Sequence, residues 1–156
     1  MILHAEPQLF VTDIGRAVRF YGDVLGFEAA FVHGDPPFYA QVVRDGARLN
    51  LRHADRPGLS ANFRQAEPDA LSATLAADDA AGLFTEFQRA GAAFHQPLRR
   101  EPWGAQTFIV ADPDGNLLCF AGGGAPGGEP AQALAAPDSD YRTLDADAAL
   151  SRNSQP

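Results

Sequence analysis

One pattern of apolar and turn-forming residues occurs twice along this chain, and the repeat constrains the fold more than any other feature. The apolar face of a predicted helix at 14–21 matches that of a second one at 80–87 when the sequence is shifted by 66 residues. An Asp-Gly step at 45–46 matches another at 114–115 with a shift of 69. A long repeat period with its element order preserved indicates a duplicated supersecondary unit.

Each copy of the repeat predicts one strand, one helix and three further strands. In the first copy, Asp13 is a candidate helix cap, apolar residues follow at helical spacing, and Gly26 follows the helix. Three strand-like segments come next, and the Asp-Gly step between the last two is a strong hairpin signal. In the second copy either Asp78 or Asp79 is the cap. The sequence therefore predicts an α+β fold made of two βαβββ modules.

The predicted domain covers residues 1–122, with modules at about 5–54 and 70–121. The segment between the modules is rich in Pro and Ala and is interpreted as a connector. A Gly, Pro and Ala stretch begins after the last predicted strand, and polar and acidic residues follow it. Such a composition is typical of flexible chain, so 123–156 is predicted to be a flexible acidic tail.

Composition and charge exclude several classes of function. The net charge is −8, whereas nucleic-acid binding requires a basic face. No stretch reaches the roughly 18 apolar residues of a membrane span, and the first residues do not have the pattern of a signal peptide. Cys119 is the single cysteine, so no internal disulfide can form. We therefore expect a soluble, cytoplasmic protein with neither nucleic acid nor membrane as a partner.

Two segments resemble the signatures of the vicinal oxygen chelate superfamily, which includes glyoxalases, bleomycin-resistance proteins and extradiol dioxygenases. The segment DIGRAVRFYGDVLGF, residues 13–27, is similar to the opening signature, and WGAQTFIVADPDGNLLCF, residues 103–120, is similar to the closing one. The resemblance covers 5–121 and is specific for the superfamily. It does not specify the function, because one fold supports many chemistries.

The resemblance implies an open cleft, in which metal-dependent members carry His, Gln or Glu on the first and last strand of each module. The corresponding positions here are occupied by Glu6, Asn50, Ser72 and Cys119. A catalytic divalent ion needs three or four His or carboxylate ligands, and only Glu6 is a strong donor in this set. We therefore predict no metal and no other cofactor. One divalent metal ion is the alternative, with His53 as a further candidate ligand.

The metal-free, bleomycin-resistance type of the superfamily is the most similar, and this likeness implies a cleft that stacks on flat aromatic compounds. Aromatic faces offer large apolar contact at little entropic cost. The residues expected to bind the ligand are Phe38, Tyr39, Asn50, Arg52, Phe63, Trp103 and Phe108. Burial of these rings in the core is the competing interpretation. The negative net charge would attract a planar aromatic ligand that is also cationic.

The predicted function is sequestration of a planar aromatic drug or metabolite without catalytic residues, as in bacterial antibiotic resistance. The first alternative is a metal-dependent lyase, isomerase or dioxygenase of the same fold. The second is a regulatory or carrier module whose acidic tail contacts a partner. Pro7 removes one hydrogen-bond donor from the first strand and so predicts an edge or a hinge there. In drug-binding relatives a proline at this place accompanies strand exchange, which implies a homodimer.

Overall fold

Two four-stranded sheets, each with one long helix on one face, make up the part of the chain that a computed structural model describes, residues 1–123. The first module comprises β1 (Gln8–Val11), α1 (Ile14–Asp23), β2 (Glu28–Gly34), β3 (Pro37–Arg44) and β4 (Ala47–His53). The second comprises β5 (Ala73–Ala77), α3 (Ala80–Arg89), β6 (Phe94–Arg100), β7 (Gln106–Ala111) and β8 (Leu117–Gly122), and α2 (Ala61–Ala66) lies between the modules. This architecture confirms the predicted α+β fold of two βαβββ modules. The predicted tail lies outside the described residues, apart from Gly123.

The two sheets have the same topology. Their strand orders are β1-β4-β3-β2 and β5-β8-β7-β6, with the first pair parallel and the others antiparallel in each. The outer strand of each sheet pairs irregularly, because register shifts interrupt both the β2–β3 and the β6–β7 ladders. No helix within residues 1–123 is long and apolar enough to cross a membrane.

Aspartates begin both long helices, as the sequence predicts. The Asp13 carboxylate accepts a hydrogen bond from the Arg16 N–H at 2.8 Å, and Asp79 accepts one from the Gly82 N–H at 2.9 Å. Such caps satisfy backbone donors that have no partner within the helix. The choice between Asp78 and Asp79 is thereby settled in favour of Asp79.

The helix-bearing face of each sheet forms the core. In the second module, the rings of Phe108 and Phe120 stack with centroids 5.0 Å apart, and Phe87 of α3 meets both rings edge-on. In the first module, the fully buried Tyr21 of α1 packs edge-on against Phe27. The Phe87 contacts fix α3 on its sheet, and the opposite face of each sheet has no helix of its own module.

Polar side chains join the modules along one side. Asp114 Oδ1 accepts hydrogen bonds from the Thr12 N–H at 3.0 Å and from its hydroxyl at 2.5 Å. Arg16 donates to the same oxygen at 3.1 Å, and Asn116 donates its side-chain amide to the Phe10 carbonyl at 3.0 Å. The turn between β7 and β8 is therefore held against the end of β1 and the start of α1.

The connector contains a helix that the sequence analysis did not predict. Ser60 caps α2 by accepting from the Phe63 N–H at 3.2 Å. Arg64 donates to the carbonyls of Gly115 at 2.9 Å and Asp114 at 2.8 Å. The φ of Gly115 is +77°, a backbone conformation that favours glycine, and a Cβ there would displace the Arg64 guanidinium.

Pro7 lies one residue before β1 rather than inside it. Its carbonyl accepts the Asn50 N–H at 2.9 Å, so the chain is already aligned with β4 when the strand begins. The predicted placement of Pro7 within the strand is therefore wrong by one residue. The first strand does lie at an edge of its sheet.

Candidate functional site

The face of the first sheet opposite α1 carries most of the candidate site and is called the first open face. Residues that are partners in adjacent strands point to the same side of a sheet. One row of partners runs across the four strands from Phe31 through Gln41 and Asn50 to Gln8. The next row runs from His33 through Tyr39 and Arg52 to Phe10. Glu6 and Arg48 continue this face towards the start of β1.

Glu6 is held on this face by side-chain amides. Its Oε2 accepts hydrogen bonds from Gln41 Nε2 at 3.1 Å and from Asn50 Nδ2 at 3.4 Å, and Gln41 also donates to Asn50 Oδ1 at 3.0 Å. Its Oε1 lies 2.8 Å from His4 Nε2 and 3.9 Å from Arg48 Nη1. The hydrogen bond with His4 is the main reason why the pKa of Glu6 is lowered, so the group is an anion at neutral pH.

Aromatic rings lie beside this polar cluster. The Phe31 and Tyr39 rings are stacked, with centroids 6.1 Å apart and planes at 17°, and Phe31 also contacts the His33 ring at 4.9 Å. Phe10, at the edge of the same row, is 37% exposed. The first open face therefore combines ring surface with polar side chains that are already oriented.

The corresponding face of the second sheet, the second open face, is apolar at its centre. A small buried cluster of Ile109, Leu117 and Cys119 forms it, with Ala111 and Ala121 packed alongside. Burial, together with the nearby Glu101 charge, raises the pKa of the Cys119 thiol. A thiol with a raised pKa stays protonated at neutral pH and is a poor nucleophile.

A buried carboxylate lies at the rim of the second open face. Glu101 Oε1 accepts from the Thr107 hydroxyl at 2.5 Å and from Arg99 Nε at 2.7 Å. Gln96 donates in turn to the Thr107 oxygen at 3.2 Å. These contacts hold the turn that carries Trp103, whose side chain is 57% exposed.

The structure brings only some of the predicted ligand-binding residues together. Tyr39, Asn50 and Arg52 lie on the first open face. Trp103 is exposed at the tip of the second sheet, in the turn between β6 and β7. These four residues are available to a ligand.

The other three predicted binding residues lie elsewhere. By strand alternation Phe38 faces the opposite side from Tyr39, and its ring lies against Gly34. Phe63 is half exposed on α2. The prediction for Phe108 is wrong, because its side chain is fully buried among the rings of the second core.

The four family metal positions do not fit a catalytic metal. Asn50 and Glu6 already hydrogen-bond to each other and to Gln41. The Ser72 hydroxyl accepts from the Leu117 N–H at 3.3 Å, and Cys119 is a buried thiol. No group of three or more His, Cys, Asp or Glu that could hold a metal ion occurs in residues 1–123. The donor set offers one carboxylate, which is too few for a catalytic site.

His53 does not supplement this set. It is the partner of the buried Val11 in the β1–β4 ladder and so lies on the helix side of the sheet. Its Nε2 lies 3.5 Å from Asp55 Oδ1. The interpretation of His53 as a metal ligand is therefore wrong in this structure.

Phe10, Phe31 and Gln41 are among the residues of the first open face that the sequence did not point to. Strand alternation was the available signal, because side chains two or four positions apart in a strand face the same side of the sheet. Gln41, for example, lies two positions after Tyr39. Gln41 also stands between two apolar residues, Ala40 and Val42, which are buried on the helix side.

A groove of about 910 Å³ separates the modules on the side away from the polar junction. The β3–β4 turn lines one wall, and β5 with the start of α3 lines the other. Arg44 bridges it at one end, since its two terminal nitrogens lie 2.8 and 3.0 Å from the Glu86 carboxylate. The two equivalent hairpin turns therefore meet the opposite module differently. The β7–β8 turn is hydrogen-bonded directly to the first module, whereas the β3–β4 turn lines a groove.

The fold is similar to that of several solved structures, one of which is a bleomycin-binding protein. The bleomycin-binding protein of Streptomyces verticillus, whose structure contains copper(II)-bleomycin, is 28% identical and has a TM-score of 0.61 over 80% of this chain and 98% of that chain. TioX from Micromonospora sp. ML1 is 24% identical, with a TM-score of 0.62 over 77% of this chain and 98% of its own. The bleomycin resistance determinant of transposon Tn5 is 21% identical, with a TM-score of 0.63 over 80% and 100%.

The two structures below 25% identity show the shared fold alone. No functionally curated protein matches the chain. The sequence profile of the Glyoxalase/Bleomycin resistance protein/Dioxygenase superfamily matches residues 2–120, nearly all of the described chain. This match confirms the family that the two sequence signatures indicate. The chain belongs to the glyoxalase/bleomycin resistance protein/dioxygenase superfamily.

Proposed function

We propose that this chain binds a planar aromatic small molecule and sequesters it without chemical conversion. The observation that carries the proposal is the first open face, where Phe10, Phe31 and Tyr39 lie beside a preorganised cluster around Glu6. Stacking on such rings, with a few fixed polar groups for orientation, is how proteins recognise flat compounds. The bleomycin complex of the Streptomyces verticillus relative supports the same reading.

Two features of the second open face support binding rather than catalysis. Its centre is a buried apolar patch, and its one thiol has a raised pKa that disfavours nucleophilic attack. The single carboxylate at the metal positions supports a function without a resident metal. In a bacterial cytoplasm, retention of a toxic aromatic compound by such a protein would confer antibiotic resistance.

A homodimer belongs to the proposal. Pro7 precedes an edge strand, and the side chains of Met1, Ile2 and Leu3 ahead of it are exposed apolar surface. Light scattering at micromolar concentration should give about twice the chain mass. A single-chain mass under those conditions would contradict this part of the proposal.

The test is a calorimetric titration with bleomycin and a panel of flat heteroaromatic compounds, followed also by the fluorescence of Trp103, the only tryptophan, at the tip of the second sheet. A ligand that covers this ring should change its emission along a saturable curve. Calorimetry should show that Tyr39→Ala weakens binding by about 1–3 kcal/mol, as expected for a lost aromatic contact and its burial. The matched control is Val32→Ala, an exposed apolar side chain on the helix side of the same sheet, which should leave affinity unchanged.

Mass spectrometry of the recovered ligand completes the test. The compound should return with its mass unchanged after prolonged incubation with the protein, and metal analysis should find no stoichiometric Zn, Mn, Ni or Fe. A new product mass that depends on a bound metal would replace sequestration by the metal-dependent lyase, isomerase or dioxygenase alternative.

A further inference from the structure

Arg52 is the one arginine of the first open face that has no hydrogen-bond or ion-pair partner among residues 1–123. It is exposed, and within residues 1–123 its guanidinium makes no hydrogen bond and no ion pair. The sheet register places it between Tyr39 on β3 and Phe10 on β1. Directly opposite residues of an antiparallel pair, here Tyr39 and Arg52, have their Cβ atoms about 4.5–5.5 Å apart, and Phe10 is the partner of Arg52 in the parallel ladder on the other side. A cation is therefore flanked by an aromatic residue on each side.

The charged groups nearest to the polar cluster, Glu6 and Arg48, lie beside each other. The Glu6 carboxylate accepts the amides of Gln41 and Asn50 and lies 2.8 Å from His4 and 3.9 Å from Arg48. Both oxygens of this carboxylate are therefore already engaged by side chains of the protein.

Glu28 is the other carboxylate on the same face. It lies at the far end of β2, where its partner is Val43 and the next residue across is Arg48. The row of partners that contains Glu28 is two rows away from the row that contains Arg52. The uncompensated charge beside the aromatic residues is consequently positive, although the whole chain carries −8.

A guanidinium is a flat fork of donors that matches the two oxygens of a carboxylate, and the pairing is directional as well as strong. A ring stacked on Phe10 or Tyr39 would place a coplanar substituent at Arg52. We propose that the ligand of this site is a planar aromatic carboxylate, with its ring on the Phe10–Tyr39 surface and its carboxylate paired with Arg52. This inference rests on the proposed function and names the chemical class of its ligand.

The net charge of the chain led to the opposite expectation, a cationic ligand. Long-range attraction depends on the summed charge, but it is screened over roughly 10 Å at ordinary ionic strength. Contact selectivity depends on the groups that the ligand touches. Between Phe10 and Tyr39, the charged group that a ligand would touch is Arg52.

The experiment compares three probes that share one ring system: 2-naphthoate, 2-naphthamide and 2-naphthylmethylammonium. Calorimetry on the full-length chain should give about tenfold tighter binding for the naphthoate than for the neutral amide, the effect of one charge-assisted pair. The ammonium probe should bind weakest. Naphthoate affinity should fall as salt rises, whereas amide affinity should not.

The variant Arg52→Gln should reduce naphthoate affinity to that of the amide and leave amide binding unchanged. Arg89→Gln, an exposed arginine on α3 far from this face, is the matched control and should alter neither. Equal urea midpoints for both variants and the parent chain will show that the fold is intact. Because Arg52 is exposed and unpaired within the described residues, we expect no loss of stability.

The outcomes separate the two proposals. Equal binding of all three probes, or tightest binding of the ammonium, would overturn the carboxylate inference and leave the sequestering function standing. An unchanged naphthoate preference in Arg52→Gln would also overturn it. Failure of all three probes and of the flat compound panel to bind at millimolar concentration would contradict both.

Discussion

The hydroxyl of Tyr21 donates to Asp112 Oδ2 at 3.1 Å across the junction of the modules, and the two residues are 91 positions apart. Asp112 also accepts the N–H groups of Asp114 at 2.9 Å and Asn116 at 2.8 Å, and the Asn116 side-chain amide at 2.7 Å. Burial raises the pKa of Asp112 and raises that of Tyr21 well above 10. A single buried carboxylate thus links the first helix to the closing signature of the family.

Removal of the Tyr21 hydroxyl should weaken the junction between the two modules. Tyr21→Phe keeps the buried ring and deletes one hydrogen bond to a carboxylate that retains three other donors. We expect the free energy of unfolding to fall by about 1–2 kcal/mol, measured by urea titration. Tyr39→Phe is the matched control and should change stability by less than about 0.5 kcal/mol. An equal loss in the two variants would argue against a special role for the Tyr21–Asp112 bond.

Truncation of two large aromatic residues should distinguish a core residue, Phe108, from a surface residue, Trp103. Phe108→Ala removes a fully buried ring that contacts four others and should cost about 3–5 kcal/mol of unfolding free energy. Trp103→Ala removes a 57% exposed ring and should cost less than about 1 kcal/mol. Chemical denaturation of both variants checks this contrast. A large loss of stability in Trp103→Ala would show that this ring is a core residue in solution.

The Arg64 contacts predict that one side chain holds the connector in place. Arg64→Gln removes the guanidinium that donates to Gly115 and Asp114, so α2 should detach more often from the β7–β8 turn. Amide hydrogen exchange should accelerate in 55–70 while α1 and α3 keep their protection. The neighbouring Arg56→Gln makes a fair comparison and should have no such effect. Uniform acceleration over the whole domain would instead mean general destabilisation.

The Arg44–Glu86 pair should contribute to stability in a pH-dependent way. Hydrogen bonds from Arg44 lower the pKa of Glu86, so the folded state prefers the ionised carboxylate. A lowered folded pKa means that the stabilisation is complete above the unfolded pKa, near 4.5, and is lost as pH falls through the folded value. Glu86→Gln should therefore cost about 0.5–1 kcal/mol at pH 7, since the pair is partly exposed.

The difference in unfolding free energy between Glu86→Gln and the parent chain should shrink as the pH falls below about 4.5, in urea titrations performed at each pH. Glu28→Gln provides the control, because Glu28 has no hydrogen-bonded cation within the described residues. A difference that is constant with pH would show that Glu86 contributes through packing rather than through its charge.

Local signals in the sequence were sufficient to predict the architecture. Aspartate caps, helical spacing of apolar residues and the two Asp-Gly steps each report on a few neighbouring positions, and their repetition fixes the order of elements. The short α2 was missed because its six residues carry little periodic signal inside a segment rich in Pro and Ala.

The open faces were harder to predict, because they depend on which side of a strand is buried. Four central residues of β7 are all buried, so alternation could not reveal that Phe108 faces the helix while Ile109 faces the open side. The Glu6–Gln41 contact joins positions 35 apart and follows from the β1-β4-β3 order, which a pattern of single strands does not contain.

The irregular outer ladders also bear on how the folded chain behaves at high concentration. An exposed strand edge with regular spacing is a template for pairing with another molecule, the first step towards fibrous aggregates. Here β2 and β6 are edge strands whose ladders are each interrupted by two register shifts. In addition, β6 contains Pro97, which has no N–H to donate. The other edges, β1 and β5, face the opposite module or the groove between the modules. The sheets are therefore poorly suited to edge-to-edge growth, and concentrated solutions of the folded protein should remain free of ordered β-aggregates.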